Sequence, residues 1–223
     1  MTLQMTDTLS TTAGDLPLEQ IELAVGGRMW SILHTGAMIS YADEQAFLGS
    51  KAAEARPYGI VLWPATLALA HHLATQPLQG KRLLELGAGT GLPGLVARSI
   101  GAHVVQTDRQ KLVLHVCKLN AERNKVETER RLADWTEWTD TTKYDLIVGS
   151  DILYAEALHP ALEAIFTGNL APGGSLVIAD PLREASIPLF ERMQANGWNV
   201  SFDKWTVGLQ PPLRPIGVFT LSR

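Results

Sequence analysis

Four carboxylates, a tyrosine and a set of glycines hold most of the chemical potential of this 223-residue sequence. Gly87, Gly89 and Gly91 follow the apolar run Leu83-Leu84-Glu85-Leu86, and Asp108, Asp134 and Asp151 each stand just after another short run of strand-forming residues. Glycine permits a positive φ and lets the backbone approach a ligand where a Cβ would clash, so a strand feeding this turn and then a helix suits a nucleotide-like ligand. Glu85 adds a negative charge two residues before the first glycine, which fits a cationic or hydroxyl-bearing ligand better than a pyrophosphate. Asp108 stands where a carboxylate can accept hydrogen bonds from both hydroxyls of a ribose, or cap a helix beginning near Arg109. Asp134-Trp135 pairs an acceptor for an adenine amino group with an aromatic face for the ring, with core packing of Trp135 as the alternative. In Gly149-Ser150-Asp151-Ile152-Leu153-Tyr154 the chain leaves a buried run and carries Asp151 and Tyr154 to the mouth of a pocket, unless Asp151 only caps the next helix.

These residues meet only if the runs before them are strands of one sheet, because ligands of open parallel sheets lie beyond the carboxyl ends of the strands. The pattern predicts strands over residues 82–86, 103–107, 130–133, 144–149 and 175–179, and helices over 92–100, 109–123, 156–170 and 184–196. Such alternation implies an α/β fold, a doubly wound parallel sheet with helices on both faces. Strands over 198–205 and 216–221, joined by the proline-rich loop 210–215, predict a closing hairpin that inserts an antiparallel strand. Residues 21–39, broken by Gly26-Gly27 and Gly36, predict a small β-hairpin appendage. Residues 42–55 have helical composition, and 64–74 form a helix opening with Pro64. Residues 1–15, rich in Thr, Ser and Asp, are expected to be a disordered tail, leaving 16–223 as one domain whose first part, 16–56, holds the hairpin and a helix.

A hydrophobic share of 46% supports a sizeable single core. The formal net charge of −4 gives no electrostatic reason to expect nucleic-acid or anionic-membrane binding. The longest apolar run, 60–70, is too short to span a bilayer, and the first residues lack a signal-peptide layout, so a cytoplasmic protein is expected. Cys117, the one cysteine, lies in an apolar-periodic run and reads as a buried thiol rather than a nucleophile. The histidines, including adjacent His71-His72, form no ligand spacing, so no metal is expected.

Gly89-x-Gly91-x-x-Gly94 formally matches the dinucleotide fingerprint, whose pyrophosphate sits on a helix N-terminus. The first turn glycine after the strand is Gly87, however, and counted from there the third fingerprint position falls on Leu92. Glu85-x-Gly87-x-Gly89-x-Gly91 resembles instead motif I of the seven-strand, class I S-adenosylmethionine-dependent methyltransferases. Together with Leu62-Trp63-Pro64-Ala65, Thr107-Asp108, Asp134-Trp135 and Ser150-Asp151-Ile152-Leu153-Tyr154, in that order, residues 57–180 resemble the family-16, methyltransferase-like protein-lysine methyltransferases. The resemblance implies a Rossmann-like, doubly wound, seven-stranded and mostly parallel sheet with an antiparallel C-terminal strand. It implies S-adenosyl-L-methionine as cofactor, contacted by Trp63, Gly87, Ala88, Gly89, Asp108, Trp135 and Ser150, to which the reading of the residues adds Glu85, Gly91 and Asp134. It also places the acceptor side chain at Asp151 and Tyr154 and implies N-methylation of a protein, with lysine the first choice. A small-molecule N- or O-methyltransferase and a non-catalytic binding protein of the same fold are the alternatives. The segment Asp180-Pro181-Leu182-Arg183 and the N-terminal hairpin match no single subgroup, so the acceptor, like the oligomeric state, stays open.

Overall fold

The apolar run ahead of the glycines becomes β4 (Arg82–Leu86), buried along all but its first residue. A strand buried on both faces belongs in the middle of a parallel sheet. In the computed structural model, which describes residues 7–11, 14–35, 58–208 and 213–223, β4 lies at the centre. It pairs in parallel with β5 (His103–Asp108) on one side and β7 (Tyr144–Ser150) on the other. Beyond β5 lies the short edge strand β6 (Glu129–Leu132), and beyond β7 lies β8 (Leu170–Asp180). The sheet is completed by β9 (Asn199–Val207) and β10 (Arg214–Ser222), in the order β6-β5-β4-β7-β8-β10-β9. β10 runs antiparallel to both of its neighbours, so the expected seven-stranded, mostly parallel sheet with an antiparallel C-terminal strand is present.

The period of two along each strand divides the core. Leu84, Leu86, Ile147, Leu176 and Ile178 face α4 (His159–Asn169) and α5 (Ile187–Ala195), through Phe166, Leu162, Leu189 and Met193. Their neighbours Leu83, Leu146, Val148 and Val177 face the opposite layer, which holds α1 (Pro64–Leu73) and α2 (Leu92–Ser99). The helix α3 (Lys111–Arg123) starts two residues later than the pattern predicts, because Asp108 and the residues after it form a turn. The segments before α4 and α5 each open with a 3₁₀ turn, Glu156–Leu158 and Glu184–Ser186, and Pro160 and Pro188 then stand in the first turn of each helix. Pro172-Gly173-Gly174 lies within β8, where the ladder with β7 shifts register.

The expected hairpin appendage is present, and a further strand extends it to a three-stranded antiparallel sheet. β2 (Gly14–Val25) and β3 (Arg28–His34) are joined by Gly26-Gly27, both with positive φ (61° and 74°), as a two-residue hairpin turn requires. β1 (Asp7–Thr11) then pairs with the first half of β2. Residues 7–11, 14 and 15, expected in a disordered tail, are therefore strand. Their backbone groups find partners along the edge of β2, which a reading of composition alone does not reveal. The helix expected over 42–55, and the end of the expected hairpin at 36–39, lie outside the described residues. No helix among the described residues is long and apolar enough to cross a membrane.

Asn120 on α3 and Asn124 at its C-cap fasten this small sheet to the body. Leu33 donates its amide to Asn120 Oδ1 (2.7 Å), and Asn120 Nδ2 donates back to the Leu33 carbonyl (3.1 Å) and to the Thr90 carbonyl in the glycine loop (2.9 Å). Asn124 makes the same exchange with Ser31, accepting its amide (2.9 Å) and donating to its carbonyl (2.8 Å). Trp30, Ile32, Leu62, Leu67, Leu95 and Val96 close an apolar layer beside these contacts. Asn120→Ala leaves buried backbone groups on two segments unpaired, and should cost about 2–4 kcal/mol in urea unfolding. A loss under about 0.5 kcal/mol would show that the sheet is held by its apolar layer alone.

Candidate active site

The chain leaves β4 toward β5 on one side and later returns to β7 on the other, and at that reversal a parallel sheet leaves a crevice beyond its strand ends. A cavity of about 460 Å³ lies there. Of the residues singled out from sequence, Trp63, Gly87, Ala88, Gly89, Asp108, Asp134, Trp135, Ser150, Asp151 and Tyr154 all line it. The structure does not bring Glu85 or Gly91 to its wall.

Glu85 lies beneath the glycine loop, 1% exposed. Its Oε2 accepts a hydrogen bond from Gln106 Nε2 (2.6 Å), while Gln106 Nε2 also donates to the Gly91 carbonyl (3.0 Å). Gln106 Oε1 in turn accepts from Thr128 (2.6 Å) and from the Cys117 thiol (3.3 Å). Burial pushes the Glu85 carboxyl up to about 8, against the pull of its bonds from Gln106 and the Gly94 amide. Its position inside β4, pointing away from the crevice, makes it a clamp between loop and sheet, not a ligand contact. A side chain at Gly91 would begin 2.5 Å from Cys117 Sγ, and one at Gly94 2.5 Å from Glu85 Oε2. The later glycines of the dinucleotide-like spacing are thus set by packing against this clamp. Cys117 is buried, and burial raises its thiol far above the ordinary range, which suits a structural residue.

At the loop itself, Gly89 has φ +56°, and a Cβ there would stand 2.8 Å from the Gly59 carbonyl oxygen. Asp108 ties this loop to the end of β5, accepting the Gly89 amide on Oδ2 (3.4 Å) and the Gln110 amide on Oδ1 (3.1 Å). Burial raises the carboxyl of Asp108, partly opposed by those amides. It does not cap α3, whose N-cap is Gln110. Asp134 is exposed and does cap: its Oδ1 accepts the amide (2.8 Å) and hydroxyl (2.7 Å) of Thr136, which fixes the 3₁₀ turn Trp135–Glu137 and holds its carboxyl below the usual range. Both readings of Trp135 apply, since it packs against the core under α4 and also lines the cavity. Trp63 precedes Pro64, and the extended backbone this imposes (φ −74°, ψ 146°) ends the connection at the cavity wall.

The end of the cavity that holds Asp151 and Tyr154 is built from two loops. Asp151 has φ +56°, uncommon for a residue with a Cβ, and its amide donates to the Ala179 carbonyl (2.8 Å) at the end of β8. Its carboxylate, only 8% exposed, is ion-paired with Arg183. Asp151 does not cap the following helix, whose opening 3₁₀ turn follows Ala155. Ser150 Oγ lies 3.1 Å from Thr66 Oγ1, and Tyr154 stands at the rim, 43% exposed. Sequence reasoning missed Thr66, Thr90, Arg109 and Arg183 in the cavity wall. For Arg183 the signal was the unmatched Asp180-Pro181-Leu182-Arg183 segment; the others carry no local mark. Among the described residues the buried Thr90 hydroxyl finds no hydrogen-bond partner, and no cluster of His, Cys, Asp and Glu is arranged for a metal.

The family model for lysine methyltransferases matches residues 44–194. Protein N-lysine methyltransferase METTL21A of Danio rerio is 38% identical over 128 residues, covering 53% of this chain and 58% of that protein. EEF1A lysine methyltransferase 3 of Xenopus tropicalis is 29% identical over 160 residues, covering 65% and 71%. The chain spans about half the length of most of the curated relatives it matches. Among solved structures, a T. thermophilus 16S rRNA methyltransferase in complex with AdoMet and guanosine superposes with a TM-score of 0.63 over 92% of this chain and 50% of that one. At 19% identity it shows the fold alone.

The Glu85 clamp has a pH signature. An acid whose folded value lies above its unfolded one binds more protons when folded, so stability falls as pH rises from near 4.5 toward about 8. Glu85→Gln should remove that component, melting at a higher temperature than wild type at pH 9 and at an equal one at pH 4. Parallel melting curves across this range would show that Glu85 is ionised in the fold.

Proposed function

Because the chain belongs to the lysine methyltransferase family, we propose that it transfers a methyl group from S-adenosylmethionine to a side-chain nitrogen of a protein, with lysine as the acceptor. The observation that carries this reading is one cavity whose wall joins the glycine loop, Asp108 and Trp135 to Asp151 and Tyr154. The residues fit the cofactor. The loop at Gly87 to Gly89 leaves a cradle that side chains would fill, Asp108 offers a half-buried carboxylate for hydroxyl groups, and two tryptophans offer flat faces. The Thr90 hydroxyl adds an unpaired buried polar atom at the same wall.

When bound, the cofactor supplies a methyl group on a positively charged sulfur. Asp108 and the loop amides would hold its ribose and methionine parts, while Trp63 and Trp135 would cover its adenine end. Asp151 would orient the acceptor nitrogen, and Tyr154 would wall the approach. Holding two reactants in line contributes about 7–11 kcal/mol of barrier reduction, enough that neither residue need act as a strong base. Lysine, with an ordinary pKa of about 10.4, must lose its proton to attack, and a partly apolar cavity favours the neutral amine.

Tyr154, 43% exposed at the cavity rim, suits a protein surface rather than a small molecule. Two measurements test the proposal. Asp108→Ala should weaken S-adenosylmethionine in calorimetry by about tenfold or more, or 1.4 kcal/mol. Asp151→Ala should leave the affinity for S-adenosylhomocysteine, uncharged at the reacting position, within about threefold while abolishing transfer of labelled methyl to protein in a cell lysate. Label appearing only in the small-molecule fraction would favour a small-molecule methyltransferase, and undiminished transfer by Asp151→Ala would remove that residue from the acceptor site.

A further inference from the structure

The turn after β8 carries a cation into the acceptor end of the cavity. Arg183 donates to Asp151 Oδ1 through both Nη2 (2.7 Å) and Nε (3.1 Å), and the two side chains are only 13% and 8% exposed. The backbone of Arg183 is placed separately. Fully buried Asp180 accepts the Arg183 amide on Oδ1 (2.8 Å) and the Ser186 hydroxyl on the same oxygen (3.1 Å), and Leu182 takes φ +64° to close the turn. One carboxylate therefore fixes the loop and a second receives its guanidinium. The cavity wall carries Asp108, Asp134 and Asp151 against Arg109 and Arg183, with the Tyr154 phenol at the rim.

We infer that Arg183 is the positioning residue of the acceptor site: it holds and neutralises the Asp151 carboxylate, so that an amine meets an oriented oxygen without an uncompensated negative charge. This inference rests on Asp151 facing the acceptor. An unpaired carboxylate in a cavity shielded from water favours the ammonium form of a neighbouring lysine, whose nitrogen then has no lone pair to donate. It also stabilises a cationic sulfur in the ground state, although that charge is lost from sulfur as the methyl group departs, so such binding raises the barrier. Arg183 offsets both effects while keeping Asp151 fixed by two charge-assisted bonds.

The test uses three probes of differing charge at the reacting position, titrated into the full chain by calorimetry at pH 8: neutral S-adenosylhomocysteine, S-adenosylmethionine with its sulfonium, and sinefungin with an amine in place of the transferable group. Arg183→Gln should raise the affinity of sinefungin relative to S-adenosylhomocysteine by about tenfold, since a negative charge is then left without its partner. S-adenosylmethionine should move in the same direction. Arg183→Lys, which keeps the charge, should hold the ratio within about twofold of wild type, and Asp151→Asn combined with Arg183→Gln should return it there. A ratio unchanged in Arg183→Gln, an equal loss of all three ligands, or a Lys variant that behaves like Gln would overturn the inference while leaving the methyltransferase reading intact. Failure of wild type to bind any of the three would overturn both.

Discussion

Right-handed connections force the helices that follow β4 and β7 onto opposite faces of the sheet, and the crevice is the space this leaves open. α2 packs on one face and α4 on the other, so nothing from either layer covers the strand ends between them. Each strand that stops there delivers its next residue to the same place. Asp108 ends β5, Trp135 lies just beyond β6, Ser150 ends β7, and Arg183 lies in the turn after β8. The site is thus a property of topology first and of residue type second.

Two buried polar clamps turn that open space into a shaped one. Glu85 and Gln106 grip the glycine loop from below through the Gly91 carbonyl, and Asn120 grips it from the side through the Thr90 carbonyl. A loop with three positive-φ glycines is entropically costly to order, and these bonds are what hold it. Asn120 also binds Leu33, which couples the position of the loop to the small N-terminal sheet. The appendage is therefore continuous with the framework of the cavity. Buried networks of this kind are costly when half-satisfied, which makes the loop sensitive to single polar substitutions well away from any ligand.

The two ends of the cavity differ in electrostatic design. At one end, Asp108 is met by the Gly89 and Gln110 amides. At the other, Asp151 is matched by a guanidinium at short range. Under the proposed function that asymmetry suits a cavity that binds a cation and releases its charge during reaction, because attraction is applied where the ligand is held and not where charge must move.

Much of this was legible in the sequence because the relevant signals are local. The glycine turn, the buried run of β4, the alternation of strand and helix periods and the acids after strands are each readable within a dozen residues, and together they yield the seven-stranded sheet and ten residues of the cavity wall. The direction in which a buried acid points is not local. Glu85 reads like a ligand contact, but strand alternation and the arrival of Gln106 from β5 turn it under the loop. Asp7–Thr11 reads as a polar tail, but an available edge on β2 makes it a strand. Arg183 lies 32 residues from Asp151 in sequence, and only the adjacency of β7 and β8 joins them. Most elements of the main sheet and its helix layers follow from the sequence alone, since propensity and periodicity act over a few residues. Which residues share a cavity and which carboxylates are paired follow only from the folded arrangement, since burial and ion pairing depend on what the rest of the chain brings alongside.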